Sequence, residues 1–350
     1  MSYLKPAFRH PELPTNKLGL TTADYEGSIS TLCAGCGHDS ISACIIQACW
    51  ELNIEPHRVA KVSGIGCSSK SPTYFLNRAH GFNSVHGRMP SVITGANAAN
   101  RDLTYIGVSG DGDTASIGMG QFAHVVRRNL NMLYMVENNG CYGLTKGQNS
   151  ATADEGSRSK AGKVNPFESI DLVAVALQIG ATFVARSFSG DREQLVPLVK
   201  AALAHNGFAL IDVISPCVTF NNHQGSTKSY DYTREHAQAG SIVDFVPLEE
   251  EITAEYSEGT DHAATMHDGS VLHLHKAESG FNPTSRSEAL NAVQRYKEND
   301  QILTGLIYLD QESGDFHEMN ETSHQPLNAL KQDVLNPGGE ALSRINQSLR

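Results

Sequence analysis

At 350 residues the chain accommodates one large or two modest domains. With 19% charged and 40% hydrophobic residues it is neither a disordered chain, a collagen nor a coiled coil. The net charge of −11 is uneven: residues 241–350 carry 19 acids and 7 bases, whereas residues 1–240 are close to neutral, so no basic surface exists for a nucleic acid. No run of 18 apolar residues is present, and the N-terminal MSYLKPAFRHPELP has no apolar stretch, so a cytoplasmic protein without membrane attachment is expected.

In chain order, residues 1–30 are proline-bearing and aperiodic and read as an arm lying over the body or a partner. From Asp39 the apolar positions Ile41, Cys44, Ile45, Ala48, Cys49 and Leu52 recur at three- and four-residue spacings, which predicts a helix with Cys44 and Cys49 as small core residues. Short β-rich runs follow at 58–66, 103–111, 131–139, 181–188 and 208–216, with helical segments fitting at 116–129, 168–178 and 190–205. Near-continuous apolar strands alternating with helices describe an α/β domain with a doubly wound, mainly parallel sheet, whose ligands bind at the C-terminal ends of the strands. Residues 145–167 are polar and small, and read as a long surface loop, functional or mobile. The expected organisation is therefore an arm (1–30), a main domain (31–240) and an acidic C-terminal extension (241–350) packed on it.

Seven cysteines, an odd number in a long chain without a leader, argue against a disulfide framework. Cys33 and Cys36 form a CxxC within CAGCGH, Cys67 follows the strand at 58–66 in GIGC, and Cys217 follows the strand at 208–216 in SPC. Four thiolates so distributed suit Zn²⁺ or an iron–sulfur cluster, although a CxxC alone equally fits a redox dithiol or two unrelated thiols.

A second group is Gly110-Asp111-Gly112, followed 27 residues after Asp111 by Asn138-Asn139. Each element ends a strand and a helix lies between, so the crossover brings a carboxylate and an amide oxygen side by side at the sheet edge. Hard oxygens there suit Mg²⁺, and the glycines leave room for a diphosphate.

This second group resembles the thiamine diphosphate signature, which implies Mg²⁺ ligation by Asp111, Asn139 and the backbone oxygen of Cys141. Together the segments CAGCGH, SGIGCSSK, HGR (His86 to Arg88), GDGD, ENNGCYGLTKGQ and ISPC resemble the β subunits of 2-oxoacid:ferredoxin oxidoreductases over about residues 30–240. The resemblance implies a thiamine diphosphate-binding, pyrophosphate-type fold with a C-terminal extension. It also implies one [4Fe–4S] cluster on Cys33, Cys36, Cys67 and Cys217, with cofactor contacts from Gly110, Asp111, Gly112, Asp113, Asn139, Cys141 and Leu144. Lys70 and Lys146 match positions that hold substrate carboxylates. Leu144 stands where pyruvate-specific relatives carry an asparagine, which favours 2-oxoglutarate over pyruvate or a branched-chain 2-oxoacid. His38 and His86, each beside a glycine, are expected either to contact diphosphate or substrate or to be ordinary hydrogen-bonded loop histidines.

The implied reaction is oxidative decarboxylation of 2-oxoglutarate to succinyl-CoA and CO₂, with electrons leaving through the cluster to ferredoxin, or its reverse. No motif nominates the carboxylate that thiamine chemistry needs beside the aminopyrimidine. In the resembling enzymes it comes from an α subunit, so an αβ or (αβ)₂ assembly is expected. A non-oxidative thiamine decarboxylase would need GDG…NN but not the cysteines, and a cluster-carrying electron-transfer module the reverse.

Overall fold

The computed structural model describes residues 12–159, 161–246, 261–265, 271–276, 281–336 and 338–350. The first eleven residues of the expected arm, and parts of the C-terminal third, therefore lie outside the described residues.

Thirteen strands occur among the described residues, eight of them in one sheet. In chain order the strands are β1 (Val59–Ser63), β2 (His80–Asn83), β3 (Thr104–Gly110), β4 (Met132–Asn138), β5 (Cys141–Tyr142), β6 (Gln148–Asn149), β7 (Phe183–Phe188), β8 (Phe208–Ile214), β9 (Ala237–Ala239), β10 (Ser241–Val246), β11 (Asp261–Thr265), β12 (Val271–Lys276) and β13 (Ile302–Leu309). The large sheet runs β2-β1-β3-β4-β8-β7-β13-β9, while β10-β12-β11 form a small antiparallel sheet and β5-β6 a two-residue ribbon. Every pairing from β2 across to β7 is parallel, as the apolar strand sequences demand, and β13 alone pairs antiparallel, with β7.

The helices that cover the sheet are α1 (Gly37–Glu51), α2 (Met89–Ala99), α3 (Met119–Arg127), α4 (Leu172–Gln178), α5 (Arg192–Ala204), α6 (Tyr230–His236) and α7 (Arg286–Glu298). The periodic positions Ile41, Cys44, Ile45, Ala48 and Cys49 of α1 are fully buried against the sheet and α5. Burying Ile41 and Ile45 contributes about 1.5–3 kcal/mol each. The opposite face carries a second core in which Phe122 of α3, Tyr134 of β4 and Phe208 of β8 pack edge to face. Two apolar layers thus hold β3, β4 and β8 between them and leave only the loops beyond the strand ends free for chemistry.

Two features depart from the sequence expectation. The run ILTGLIYL at 302–309 does not lie on the outside of the main domain; it is β13, a member of the large sheet. The loop at 145–167 is not uniformly a surface loop, because Ser150, Thr152, Ala153 and Asn165 are buried and the Asn165 amide donates to the carbonyls of Ala153 (2.7 Å) and Phe167 (2.9 Å). No helix among the described residues is long and apolar enough to cross a membrane.

Candidate functional site

The sheet order sets the site. Strands β1, β3, β4 and β8 are consecutive and parallel, so the loops carrying Cys67, Asp111, Asn139 and Cys217 leave one edge next to one another. Beyond that edge lies a cavity of about 130 Å³ lined by His38, Cys67, His86, Gly110 to Asp113, Glu137, Asn139 and Cys141 to Thr145. Thus most of the expected cofactor residues, Leu144 included, share one pocket.

At its centre Asp111 is 1% exposed. One carboxylate oxygen accepts from the Asn139 backbone N–H at 3.2 Å, and the other from the hydroxyls of Ser150 and, at 2.7 Å, Thr152. All are neutral donors, and burial raises the Asp111 carboxyl above its ordinary value. Asn139 turns its amide oxygen onto the Cys141 N–H at 3.0 Å, which draws Asp111, Asn139 and Cys141 into one tight cluster of oxygen donors. A buried carboxylate with hard oxygens around it and no cationic side chain bonded to it fits a divalent cation.

The chain leaves β3 through a π-helical turn, Gly112–Ile117, before α3 begins. Such wide turns recur at functional sites. A β-carbon on Gly112 would sit 2.5 Å from the Tyr142 ring, so only glycine lets the ring lie there. Asp113, two residues on, accepts from the backbone N–H of Gly87 at 2.7 Å and the Ser109 hydroxyl at 2.6 Å, and it bonds His86 Nδ1. His86 is therefore held at the pocket wall by a carboxylate, with its other ring nitrogen directed elsewhere.

His38 is fully buried and bonds the Ser215 hydroxyl at 2.6 Å through Nδ1; burial lowers its pKa to about 4, so it is neutral. That nitrogen also lies 3.6 Å from Glu137, a 0% exposed carboxyl whose first oxygen has no partner among the described residues and which burial pushes well above the carboxylate range.

The four expected ligand thiols gather beside this pocket. Cys33 and Cys36 lie at the start of α1, and Cys36 is its N-terminal flanking residue. The sulfurs of Cys67 and Cys217 both lie 3.5 Å from where a β-carbon on Gly143 would be, and hence no more than 7 Å from each other. Cys217 is drawn down to about 6 by a hydrogen bond from the Cys141 thiol, against the effect of burial and with help from the N–H groups of Phe220, Thr219 and Asn221. The Cys141 sulfur, for which the sequence suggested no part, thus supports Cys217. Burial pushes Cys36 up to about 12 and raises Cys67.

Among the described residues no three His, Cys, Asp or Glu side chains converge as they would on a single metal ion. Thiols are soft donors, the chemistry that a metal or an iron–sulfur cluster takes. By contrast Cys44 and Cys49 are buried core residues.

The two lysines lie apart. Lys70 is half-buried and its ammonium lowers the neighbouring Cys67 thiol, but it is not on the wall of the Asp111 pocket. Lys146 is exposed at φ 81° in the β5–β6 turn and lines an adjacent cavity of about 620 Å³. Sequence reasoning missed Ser150, Thr152 and Glu137 altogether, since isolated hydroxyls in a polar loop and one acid in a strand carry no spacing signal.

Residues 64–213 match the family described as thiamine pyrophosphate enzyme, C-terminal TPP binding domain. Over 217 residues the chain is 39% identical to a 2-oxoacid:ferredoxin oxidoreductase subunit beta from Sulfolobus sp, covering 62% of this chain and 70% of that protein. The chain belongs to this β-subunit family. It is also 41% identical over 194 residues to the 2-oxoglutarate oxidoreductase subunit KorB of Mycobacterium tuberculosis, where the match covers 54% of this chain and 51% of that one. A solved 2-oxoglutarate:ferredoxin oxidoreductase from Magnetococcus marinus, with 2-oxoglutarate, coenzyme A and succinyl-CoA bound, superposes with a TM-score of 0.69 at 28% identity, covering 86% of this chain and 89% of that chain. As a β subunit of an oxidoreductase built on a thiamine-binding domain, the chain has the fold and the cofactor class that its GDG…NN spacing announced.

Proposed function

We propose that this β subunit carries thiamine diphosphate, Mg²⁺ and one [4Fe–4S] cluster in a CoA-dependent 2-oxoglutarate:ferredoxin oxidoreductase. The observation that supports it most is the juxtaposition at one sheet edge of an oxygen-donor group (Asp111, Asn139, Cys141) and a thiol group (Cys33, Cys36, Cys67, Cys217). A simple thiamine decarboxylase has no use for the second group, and an electron-transfer module none for the first.

Asp111, the Asn139 amide oxygen and the Cys141 carbonyl would hold Mg²⁺ against the diphosphate, with Gly110 and Gly112 giving it room. The four cysteines would hold the cluster. Bound thiamine diphosphate supplies a carbon nucleophile for the 2-oxo carbon and an electron sink for decarboxylation, and the cluster supplies a one-electron acceptor. Neutral His38 and the Asp113–His86 pair line the pocket as hydrogen-bonding groups, while Leu144, 57% exposed at its mouth, sets an apolar wall for the substrate. Lys70 and Lys146 would draw the carboxylates of a dicarboxylic 2-oxoacid toward the site. The carboxylate acting on the aminopyrimidine is assigned to an α subunit, which makes the αβ assembly the working enzyme. The M. tuberculosis and M. marinus relatives, both named for 2-oxoglutarate, support that substrate.

The test is the composition and dye-reducing activity of the αβ complex purified without oxygen. About four iron and four sulfide per β chain with thiamine diphosphate, and viologen reduction that requires both 2-oxoglutarate and CoA, is the expected result. Thiamine diphosphate without iron would overturn the oxidoreductase reading, and faster reduction with pyruvate would overturn the substrate.

A further inference from the structure

Behind Asp111 a line of polar side chains runs from Thr152 across β4, β8 and β7 to the start of α4. The Thr152 hydroxyl lies 2.7 Å from Asp111 and 3.0 Å from the Asn138 amide oxygen. Its one hydrogen is shared between the two acceptors, the charged carboxylate being the stronger of them. The orientation of Asn138 is not free, because its NH₂ donates to Asp212 at 2.9 Å. Asp212 in turn accepts from Arg186 Nε at 3.2 Å, and Arg186 Nη2 donates to Asp171 at 2.5 Å. Asp171 closes the line by capping α4, accepting from the N–H groups of Val173 (2.9 Å) and Ala174 (3.2 Å). Asp111, Asn138, Ser150, Thr152 and Asp212 are each at most 6% exposed.

None of these partners can reach a cation held by Asp111, Asn139 and Cys141 without abandoning the bonds just described. Their common effect is on where Asp111 points. A carboxylate on a sheet edge has a broad, soft terminal torsion. Two hydroxyls on one of its oxygens lock that torsion and leave the other oxygen on the Asn139 side. We infer that Thr152 and Asn138, anchored by Asp212, Arg186 and Asp171, form a positioning relay that aims Asp111 at the divalent cation. The relay makes the loop at 150–154 part of the metal site without contributing a ligand, in the way that outer hydrogen bonds set metal affinity elsewhere. It also explains why Asn138 is an asparagine: an amide alone both donates to Asp212 and offers an oxygen to Thr152.

This inference rests on the proposed thiamine diphosphate and Mg²⁺ site, and one experiment separates the two. Thiamine diphosphate binding to the αβ complex, freed of metal with a chelator, is followed by calorimetry as Mg²⁺ is added back. Thr152→Val, isosteric but without the hydroxyl, is expected to raise the Mg²⁺ concentration for half-saturation about tenfold, the loss of one outer-shell contact. Thr152→Ser is expected to restore it, and Asn138→Ala to raise it several-fold although Asn138 touches no ligand atom of the cofactor. Ser150→Ala, a smaller change, gives the same readout if Thr152→Val does not fold. A wild-type complex that binds thiamine diphosphate with Mg²⁺, but whose variants show the same half-saturation and only a lower thermal midpoint, would overturn the relay. A wild-type complex that binds no thiamine diphosphate overturns the site and the relay together.

Discussion

Asp111, beyond the end of β3, and Cys33, before the start of α1, are organised in opposite ways. Asp111 is buried and accepts from Asn139, Ser150 and Thr152, so its environment is complete in the polypeptide. Cys33 is exposed, its sulfur touched by the Thr219 hydroxyl at 3.5 Å, and Cys36, Cys67 and Cys217 are half-buried. The Asp111 group is preorganised by hydrogen bonds, whereas on the proposed function the thiols would draw their final order from the cluster they hold. Removing a residue from each should therefore have consequences of different kinds.

The largest effect is expected at the thiol site. In the αβ complex, Cys67→Ala should reduce iron content from about four per chain to near zero and abolish dye reduction. Thiamine diphosphate binding should survive, because none of the hydrogen bonds to Asp111 involves Cys67. Loss of both cofactors in this variant would show that the two sites are not separately built. The reciprocal change, Asp111→Ala, is expected to weaken Mg²⁺-dependent thiamine diphosphate binding roughly 100-fold while visible absorbance from the cluster persists. A variant binding the cofactor as wild type does would remove Asp111 from the metal site.

The same contrast explains what was legible beforehand. The helix α1 and the strands β1, β3, β4, β7 and β8 were readable because each is an unbroken periodic or apolar run. The placement of the GDG and NN pairs and of Cys67 and Cys217 at one sheet edge was readable because each ends or follows an apolar strand. The helix α2 escaped: Met89–Ala99 is rich in small residues and contains glycine and asparagine, which blur the apolar stripe. β13 escaped as a sheet member because more than a hundred residues, α5, β8 and an acidic stretch among them, separate it in sequence from β7, its neighbour in space. Ser150, Thr152, Asp212 and Arg186 escaped for the same reason, being assembled from three distant segments. A buried polar partner is a property of tertiary packing, and no local pattern encodes it.

The lysines stand outside both organised centres, and their effect should be smaller and confined to substrate. Lys70→Ala is expected to raise KM for 2-oxoglutarate about tenfold, the loss of one charge-assisted contact, with iron and thiamine diphosphate contents unchanged. Lys146, more exposed, should give less. An unchanged KM for every 2-oxoacid in both variants would sink their proposed role, and a companion Leu144→Asn change should move preference toward pyruvate if the apolar wall sets substrate choice.

The smallest effect is expected where the loop that follows Thr152 is tied down. Burial alone would raise the Asp154 carboxyl, but the Lys228 ammonium at 3.1 Å and the hydroxyls of Thr227 and Ser169 together hold it at about 2. Because that value lies below the ordinary 3.8, the stabilisation is complete above about pH 4 and disappears as the pH falls through about 2. Lys228→Met should thus lower the thermal midpoint at pH 6 by roughly a degree or two, as a partly exposed ion pair contributes about 1 kcal/mol or less. The gap between variant and wild type should close between pH 4 and pH 2, read by scanning calorimetry at several pH values. A gap that persists unchanged at pH 2 would mean that Lys228 acts through packing of its methylene stem, and that the loop is tied to the body by apolar contact more than by charge.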